Sequence, residues 1–350
     1  RGEIPGMQLT AVADALPGPV NALCREIKGL QGYSDALEMI RSQTLDAIII
    51  ATPHFSHTPL GIAAFEAGLH VLVEKPISVH KADCEKLLEA RKKSAGVFAV
   101  MFNRRADPQF QKVKHLITSG ELGKINRMNW IVTDWFRSEA YYRSGDWRAT
   151  WAGEGGGVLL NQCPHQLDLW QWLFGVPQRL RAFCRFGHYH NIEVEDEVTA
   201  FLEYEDGATG VFITSTGEAP GTNRLEITGE RGRLLVEDNR IHLRRNTVES
   251  SEFSRTTDSR FGRPEVWEVE IPYRENPHQH REVLINFSQS ILQGKPLLAP
   301  GEEGIHSVEM GNAMLLSTWE DRVIELPLDS ARFQSHLEKH IANSRYLSQD

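Results

Sequence analysis

The first hundred residues alternate short apolar runs with helix-like segments, and this alternation constrains the fold more than any other feature of the sequence. It is typical of a doubly wound parallel sheet with helices on both faces. Each run ends in a polar residue: residues 9–13 precede Asp14, 47–51 precede Thr52, 71–73 precede Glu74, Lys75 and Pro76, and 97–102 precede Asn103. Ligands bind such sheets at the carboxyl ends of the strands, so we expect these polar residues to converge there.

Asp14 closes the run that corresponds to the second strand of a dinucleotide fold. An acidic residue there commonly accepts hydrogen bonds from the adenosine ribose hydroxyls and repels a 2′-phosphate, which favours NAD over NADP. Alternatively, Asp14 opens a turn before Leu16, Pro17 and Gly18. No G-x-G-x-x-G turn precedes Asp14, so we expect the first strand and this glycine fingerprint to lie in a segment of about 20 to 30 residues ahead of Arg1.

Beyond Asn103 the pattern changes to that of an α+β domain. Seven runs alternate like strands, which predicts a large open antiparallel sheet with one covered face: residues 125–133, 179–186, 198–204, 209–216, 224–228, 233–237 and 240–244. Helical segments are residues 60–67, 82–93, 108–118, 279–292, 304–322 and 333–342, with Gly68 and Gly96 at C-cap positions of the first two. Because 350 residues exceed one ordinary core, we predict two domains, residues 1–104 and 105–350, with 305–325 packing back on the first.

The stretch from Gly155 to Asp168 combines close backbone approach with polar side chains. Its three glycines have no Cβ to exclude another backbone or a ligand. If the stretch is mostly helical, Asn161, His165 and Asp168 share one face, but Pro164 must then kink the helix or begin a new one. The simpler alternative is a glycine hinge that leads into a core helix with an internally hydrogen-bonded histidine.

Composition excludes several classes of function. A net charge of −9 without a basic run argues against nucleic-acid binding, and no apolar run approaches the roughly 20 residues that span a membrane. Four cysteines without CxxC spacing indicate reduced thiols and a cytoplasmic protein. The histidine pairs His54/His57, His188/His190 and His278/His280 lack partners at zinc spacing, so we predict no metal.

Several spaced motifs resemble those of the Gfo/Idh/MocA oxidoreductases, a family that includes glucose-fructose oxidoreductase and inositol dehydrogenase. Glu74, Lys75 and Pro76 match the family's E-K-P motif. The three glycines with Asn161 and His165 match G-G-G-x-x-x-D-x-x-x-H, except that Asn161 stands where many members have Asp. Residues 12–14, 51–57 and 304–327 extend the resemblance over nearly the whole chain.

The resemblance implies hydride transfer between the nicotinamide of NAD(P) and a carbon that bears a secondary hydroxyl in a sugar, a sugar derivative or a cyclitol. His165 would be the general acid/base, because histidine titrates near neutrality. Lys75 would orient the cofactor and stabilise the alkoxide through an ammonium hydrogen bond. An amide at position 161 cannot share a proton with His165, so we expect Asn161 to bind a substrate hydroxyl.

The resemblance also implies contacts around these residues. The predicted cofactor-binding set is Asp14, Thr52, Pro53, His54, His57, Glu74, Lys75 and Asn103. Trp147 and Arg148 are predicted sugar contacts, through aromatic stacking and guanidinium hydrogen bonds, or else a packing pair between domains. The loops 141–151, 255–263 and 276–280 are expected to set specificity.

The sequence is also compatible with two other functions, and it predicts a homo-oligomer. A redox-neutral, NAD-dependent glycosidase would need a further acid or base, for which Glu154, Tyr141 and Tyr142 are candidates. A non-catalytic NAD-binding regulator would have no need of both Lys75 and His165. We also expect a homodimer or homotetramer through the C-terminal sheet, with Ala200, Leu202, Val211 and Ile213 buried on its other face.

Overall fold

The computed structural model describes residues 3–345, which form two compact units. Of the described residues, the first unit contains 3–106 together with His278–Val308, and the second contains Asp107–Pro277 and 309–345. The segment His278–Val308 therefore belongs with the first unit, whereas the predicted boundary placed residues 105–350 in the second, with only 305–325 packing back on the first. Hydrophobic periodicity locates helices and strands but does not say which core each of them joins.

The helices and strands follow the predicted order, with several short additions. The helices are α1 Pro17–Glu26, α2 Ala36–Arg41, α3 His57–Glu66, α4 Lys81–Lys92, α5 Pro108–Thr118, α6 Glu139–Tyr142, α7 Pro164–Phe174, α8 Ser250–Thr256, α9 Gln279–Gln293, α10 Gly304–Trp319 and α11 Ser330–Ala342. The strands are β1 Ala11–Ala13, β2 Gln31–Tyr33, β3 Ala47–Ile50, β4 His70–Val73, β5 Phe98–Val100, β6 Ile125–Val132, β7 Arg179–Phe186, β8 Glu195–Glu203, β9 Thr209–Ser215, β10 Asn223–Gly229, β11 Gly232–Glu237, β12 Arg240–Asn246, β13 Val266–Glu270 and β14 Ile324–Glu325.

The first unit is built on a parallel sheet of β3, β4 and β5, with β4 in the middle. Residues 71–73 of β4 are fully buried because helices cover both faces. Phe65 of α3 packs on one face against Phe98, and Phe287 of α9 belongs to the cluster around Leu72 on the other. β1 and β2 pair in parallel as a separate ribbon. The predicted doubly wound α/β architecture is therefore confirmed.

Of the two predicted glycine C-caps, the first is confirmed and the second is wrong. Gly68 has a φ of +78° and follows α3, where the Leu69 N–H donates to the Ala64 carbonyl, as in a Schellman motif. Gly96 lies beyond the end of α4. A Cβ there would be 2.3 Å from the Leu69 carbonyl oxygen, so this glycine permits a close backbone crossing instead.

The second unit is built on a nine-stranded sheet in the order β13-β12-β11-β10-β6-β9-β8-β7-β14. Its neighbouring strands are antiparallel, as predicted, except for β6 and β9, which run parallel. The hairpins β7-β8-β9 return the chain beside β6 in the same direction, and alternation within each strand carries no signal of that pairing. The edge strand β13 was not predicted, because all five of its residues are exposed.

The faces of this sheet correct one prediction. Ala200 pairs with Phe212 and Phe201 with Val211, so Val211 and Ile213 lie on the face opposite Ala200 and Leu202. Ala200, Leu202 and Phe212 are buried, and Trp170 of α7 packs edge-to-face on Phe212 at 5.9 Å. The prediction failed because the pairing register of β8 and β9 decides which of their residues share a face. Alternation within each strand does not show that register.

Within residues 3–345, no helix has the length and apolar character that a membrane crossing requires. The same residues hold no group of three or more His, Cys, Asp or Glu side chains placed to bind a metal ion. All four cysteines are free thiols.

Candidate active site

In the first unit, three predicted site residues follow neighbouring strands at the carboxyl edge of the sheet. Thr52 follows β3, Lys75 follows the central β4, and Asn103 follows β5. The Thr52 Oγ1 and Asn103 Oδ1 atoms are buried and have no hydrogen-bond partner among residues 3–345, while Asn103 Nδ2 donates to Gln279 Oε1 at 3.2 Å. Unpartnered buried oxygens are costly unless a ligand satisfies them, so this edge fits a polar ligand.

His57 lies beneath that edge and connects two of its loops. Its ring nitrogens lie 2.8 Å from backbone carbonyl oxygens, Nδ1 from that of Pro76 and Nε2 from that of Thr52. The residue is only 1% exposed, and burial lowers the pKa of its imidazole despite the two carbonyl contacts. A neutral imidazole has one N–H, so His57 donates to one of these two carbonyls and lies against both, between the loops after β3 and β4.

Three further cofactor candidates of this unit, Pro53, His54 and Glu74, lie in the same two loops. Pro53 precedes a 3₁₀ turn that begins at His54, whose ring centroid is 6.0 Å from that of His57. The Glu74 Oε2 atom accepts from the Lys75 N–H at 3.2 Å. Burial raises the pKa of the Glu74 carboxyl, and the positive charge of Lys75 opposes that shift. The carboxylate therefore supports the backbone turn that carries Lys75.

Asp14 follows β1, outside the three-stranded sheet, and is exposed. Its Oδ1 atom accepts from the Leu16 N–H at 2.8 Å, so it opens the turn that the alternative interpretation describes. A role in ribose binding requires only that the carboxylate also accept from a ligand, and this stays a prediction.

In the second unit, the stretch from Gly155 to Asp168 is a turn followed by a helix. α7 begins at Pro164, whose missing N–H costs nothing at the first helical position, and His165 follows in the first turn. Asn161 lies in the preceding turn, where its N–H donates to the Gly157 carbonyl at 2.9 Å. The prediction that Asn161, His165 and Asp168 share a helical face is therefore wrong for Asn161, and the restart at Pro164 is confirmed.

A buried glutamate, Glu195, holds the glycine turn. Its carboxylate accepts from the N–H groups of Gly157 at 2.9 Å and Leu159 at 3.0 Å, and its carbonyl accepts from Val158 at 2.9 Å. A Cβ on Gly157 would lie 2.0 Å from that carbonyl oxygen, so only glycine fits. Burial raises the pKa of Glu195 to about 7, although the hydrogen bonds from Leu159 and Gly157 oppose the shift. No spacing in the sequence indicated this residue.

A second buried glutamate, Glu154, contacts Asn161 directly. Its Oε2 atom accepts from the Ala149 N–H at 2.6 Å, and its Oε1 atom accepts from Asn161 Nδ2. The Asn161 Oδ1 atom in turn accepts from Gln162 Nε2 at 3.2 Å. Glu154, proposed from the sequence as an extra acid or base, is thus committed to hydrogen bonds within the turn.

The predicted substrate contacts Trp147 and Arg148 form one stack. The Arg148 guanidinium lies 4.5 Å from the Trp147 ring centroid and 4.9 Å from that of Tyr141, and its Nη1 atom donates to the Tyr141 hydroxyl at 3.1 Å. Tyr142 donates to Thr216 Oγ1 at 3.0 Å, and burial raises its pKa to about 12, so its hydroxyl stays protonated near neutral pH and is not available as a base. Arg148 and Tyr142 also line a polar cavity of about 160 Å³.

Comparison with characterised relatives shows full-length similarity. The chain is 24% identical to the myo-inositol 2-dehydrogenase of Thermotoga maritima over 91% of each protein. It is 25% identical to the NAD-dependent scyllo-inositol 2-dehydrogenase of Bacillus subtilis over 94% of this chain and 91% of that one.

Solved structures have the same architecture. The WlbA dehydrogenase of Chromobacterium violaceum, in complex with NADH and UDP-GlcNAcA, superposes with a TM-score of 0.77 at 27% identity, over 91% of this chain and 88% of that one. The Bordetella pertussis WlbA complex gives a TM-score of 0.75 at 26% identity, over 91% of this chain and 90% of that one.

Two sequence models of one family match consecutive parts of the chain. The oxidoreductase model with an NAD-binding Rossmann fold matches residues 2–102, and the Gfo/Idh/MocA C-terminal model matches residues 110–235. Together they span more than half of the 350 residues. The chain therefore belongs to the Gfo/Idh/MocA oxidoreductases, and its first unit is their NAD-binding Rossmann fold.

Proposed function

We propose that this oxidoreductase is an NAD-dependent dehydrogenase of a secondary hydroxyl on a sugar, a sugar derivative or a cyclitol. The observation that carries the proposal is the position of Lys75 directly after the central strand β4, between Thr52 and Asn103 with their buried, unpartnered oxygens. Full-length similarity to two inositol 2-dehydrogenases supports the substrate class.

The donor set at this edge fits NAD. The Thr52 and Asn103 oxygens, with Pro53 and His54 beside them, would line the cofactor, and Asp14 would accept from the adenosine ribose hydroxyls. His57 and Glu74 would act through the backbone that they hold. When bound, NAD supplies a hydride acceptor at nicotinamide C4.

The residues then divide the proton chemistry. In the oxidative direction the O–H bond of the substrate's secondary hydroxyl breaks, and its proton moves to the His165 imidazole. A hydride leaves the carbon that bears this hydroxyl, and a ketone forms. The Lys75 ammonium donates a hydrogen bond to the developing alkoxide, which stabilises its negative charge. In the reverse direction, His165 returns the proton as a general acid.

The polyhydroxylated ring would be held by the second unit. Asn161 would accept from a substrate hydroxyl. Trp147 would offer its ring face to the C–H groups, and Arg148, fixed between Trp147 and Tyr141, would donate to ring oxygens. Free inositols, free hexoses and sugars linked to a nucleotide all present such hydroxyls.

We also propose that the chain assembles as a homodimer or homotetramer through the second unit's sheet. The face opposite α7 exposes Phe183 at 60% and Phe201 at 44%, beside the half-buried Val211 and Ile213. An apolar sheet face of this kind is typical of a protein interface. Monomeric behaviour in light scattering at micromolar concentration would contradict this assembly.

The activity is tested by the absorbance at 340 nm when NAD and a panel of free sugars, glycosides and inositols are added to the protein. We expect a rise with at least one inositol or sugar, lost in Lys75→Ala and His165→Ala and retained in the exposed control Lys92→Ala. A glycoside cleaved without any rise would instead support the redox-neutral glycosidase. NADH binding with neither reaction would support the non-catalytic regulator.

A further inference from the structure

The turn before α7 contains a carboxylate that the motif alone does not show. Many members of the family carry Asp where this chain has Asn161, and here the buried Glu154, seven residues earlier, contacts the Asn161 amide. We infer that Glu154 is a positioning residue, which fixes Asn161 so that its Oδ1 atom faces the substrate hydroxyl as an acceptor. The inference rests on the proposed function, because it concerns the substrate of that same site.

The orientation of the amide follows from hydrogen-bond chemistry. An ionised carboxylate only accepts hydrogen bonds, so the Asn161 atom that faces Glu154 Oε1 must be the donor Nδ2. The other carboxylate oxygen is already occupied by the Ala149 N–H at 2.6 Å. Glu154 is only 3% exposed, and a buried carboxylate with two donors is held far more rigidly than one in water.

A second donor fixes the same orientation from the other side. Gln162 Nε2 lies 3.2 Å from Asn161 Oδ1, so a flipped amide would place two donors against each other. Asn161 is therefore set as an acceptor from both sides, which suits a hydroxyl that must donate.

The neighbouring donors also set the direction of the Tyr141 hydroxyl hydrogen. Its oxygen accepts from Arg148 Nη1 at 3.1 Å and lies 3.5 Å from Gln162 Nε2. Both neighbours are donors, so the Tyr141 O–H hydrogen points away from them. Asn161 thus presents an acceptor and Tyr141 of α6 presents a donor, a pattern that fits two hydroxyls of one polyol ring.

A charge exchange tests this role. Glu154→Gln leaves two amides in contact, and Asn161 can then turn in either direction. In the double variant Glu154→Gln with Asn161→Asp, the introduced glutamine amide donates to the new carboxylate, so an acceptor at position 161 is restored. The matched control is Glu230→Gln, because Glu230 also accepts from an asparagine Nδ2, that of Asn126, and from a backbone N–H, that of Ser251.

The readouts are kcat and KM for the best substrate of the panel, the NADH dissociation constant from fluorescence titration, and the urea midpoint. We expect E154Q to lower kcat/KM by about tenfold or more, with NADH affinity within about twofold of wild type. The double variant should recover most of that loss, and E230Q should shift only the urea midpoint. If E154Q does not fold, Glu154→Asp, which keeps the carboxylate, is measured in its place.

Two results overturn the inference: E154Q with unchanged kcat/KM, or a double variant that is no better than the two single variants. Failure of the proposed function looks different, since wild-type protein would then bind NADH and oxidise nothing in the panel. In that case the coupling between Glu154 and Asn161 is measured from the urea midpoints of E154Q, N161D and the double variant. Additive effects of the two single substitutions would show that the side chains are not coupled.

Discussion

Both carboxylate oxygens of Glu195 lie 2.9 Å from the backbone nitrogen of Gly157. The contact joins the start of β8 to the glycine turn that precedes α7, so a strand of the sheet holds the turn that leads into the helix of His165. Gly157 is required because the Glu195 carbonyl oxygen occupies the place where a Cβ would lie. The rigidity of the turn therefore comes from one glutamate and one glycine acting together.

Gly157→Ala should destabilise the second unit. A Cβ would lie 2.0 Å from the Glu195 carbonyl oxygen, and neither backbone can move without losing the hydrogen bonds between them. We expect a loss of about 1–3 kcal/mol in the free energy of unfolding, with a fall in kcat as His165 shifts. The measurement is urea unfolding followed by tryptophan fluorescence.

The control for this substitution is Gly18→Ala in α1. An added Cβ at Gly18 has no heavy atom within 4 Å, so the same chemical change should leave stability almost unaltered. Equal effects of G157A and G18A would contradict the role given to Gly157.

Glu195 should also make stability depend on pH. Burial raises its folded pKa to about 7, from an ordinary value of 4.5, and the nearby Glu154 adds to the shift. The folded protein thus holds a proton that the unfolded chain releases between those values. The free energy of unfolding should therefore fall as pH rises from 4.5 to 7, by on the order of 3 kcal/mol.

Glu195→Gln isolates this contribution, because glutamine can keep an acceptor for Gly157 and Leu159 and does not titrate. We expect the difference in urea midpoint between E195Q and wild type to change steadily between pH 5 and 7.5. A difference that stays constant over this range would show that Glu195 does not titrate there.

The positions of Thr52, Lys75 and Asn103 at one edge could be predicted from the sequence. Strands buried on both faces are continuous apolar runs, and the first polar residue after each run marks the carboxyl end of the strand. Parallel strands then bring these ends together without any knowledge of side-chain contacts. The restart of α7 at Pro164 was equally accessible, because proline lacks the N–H that a helix interior needs.

The partners of these residues could not be predicted. Glu195 lies 38 residues from Gly157, and no local pattern distinguishes it from the other acidic residues of the chain. The sequence does not show which side chain the Asn161 amide contacts, and only the fold reveals that it is Glu154. The face of the sheet on which Val211 lies depends on the β8-β9 register, and a register one residue different would have placed it with Ala200 and Leu202.

Asp14→Asn should weaken discrimination between NAD and NADP. Asparagine keeps an oxygen for the Leu16 N–H and loses only the negative charge. We expect the ratio of kcat/KM for NAD to that for NADP to fall roughly tenfold, because a 2′-phosphate is no longer repelled.

Asp35→Asn is the matched control for that substitution. Asp35 accepts from the Leu37 N–H at 2.8 Å at the start of α2, so it makes the same kind of turn contact. If D35N changes the cofactor ratio as much as D14N does, the effect comes from altered local structure and not from charge beside the ribose.

His57→Ala should weaken NADH binding, because the carbonyls of Thr52 and Pro76 lose the ring that connects their loops. We expect the dissociation constant for NADH, from fluorescence titration, to rise by about tenfold, the equivalent of roughly one hydrogen bond. His190→Ala is the matched control in the second unit: His190 is also buried, with one ring nitrogen 2.8 Å from the Arg137 carbonyl and the other 3.2 Å from Asp196. H190A should lower stability and leave NADH affinity intact.

His57 should also destabilise the folded protein in acid. Burial lowers its folded pKa below the ordinary value of 6.5, so its contribution to the free energy of unfolding is fully present above pH 6.5. That contribution decreases as the pH falls below 6.5, because the unfolded chain takes up a proton first. The gap in urea midpoint between wild type and H57A should therefore narrow from pH 7 to pH 5. A gap that widened in acid would mean that the folded ring is charged, and that both carbonyls accept from an imidazolium.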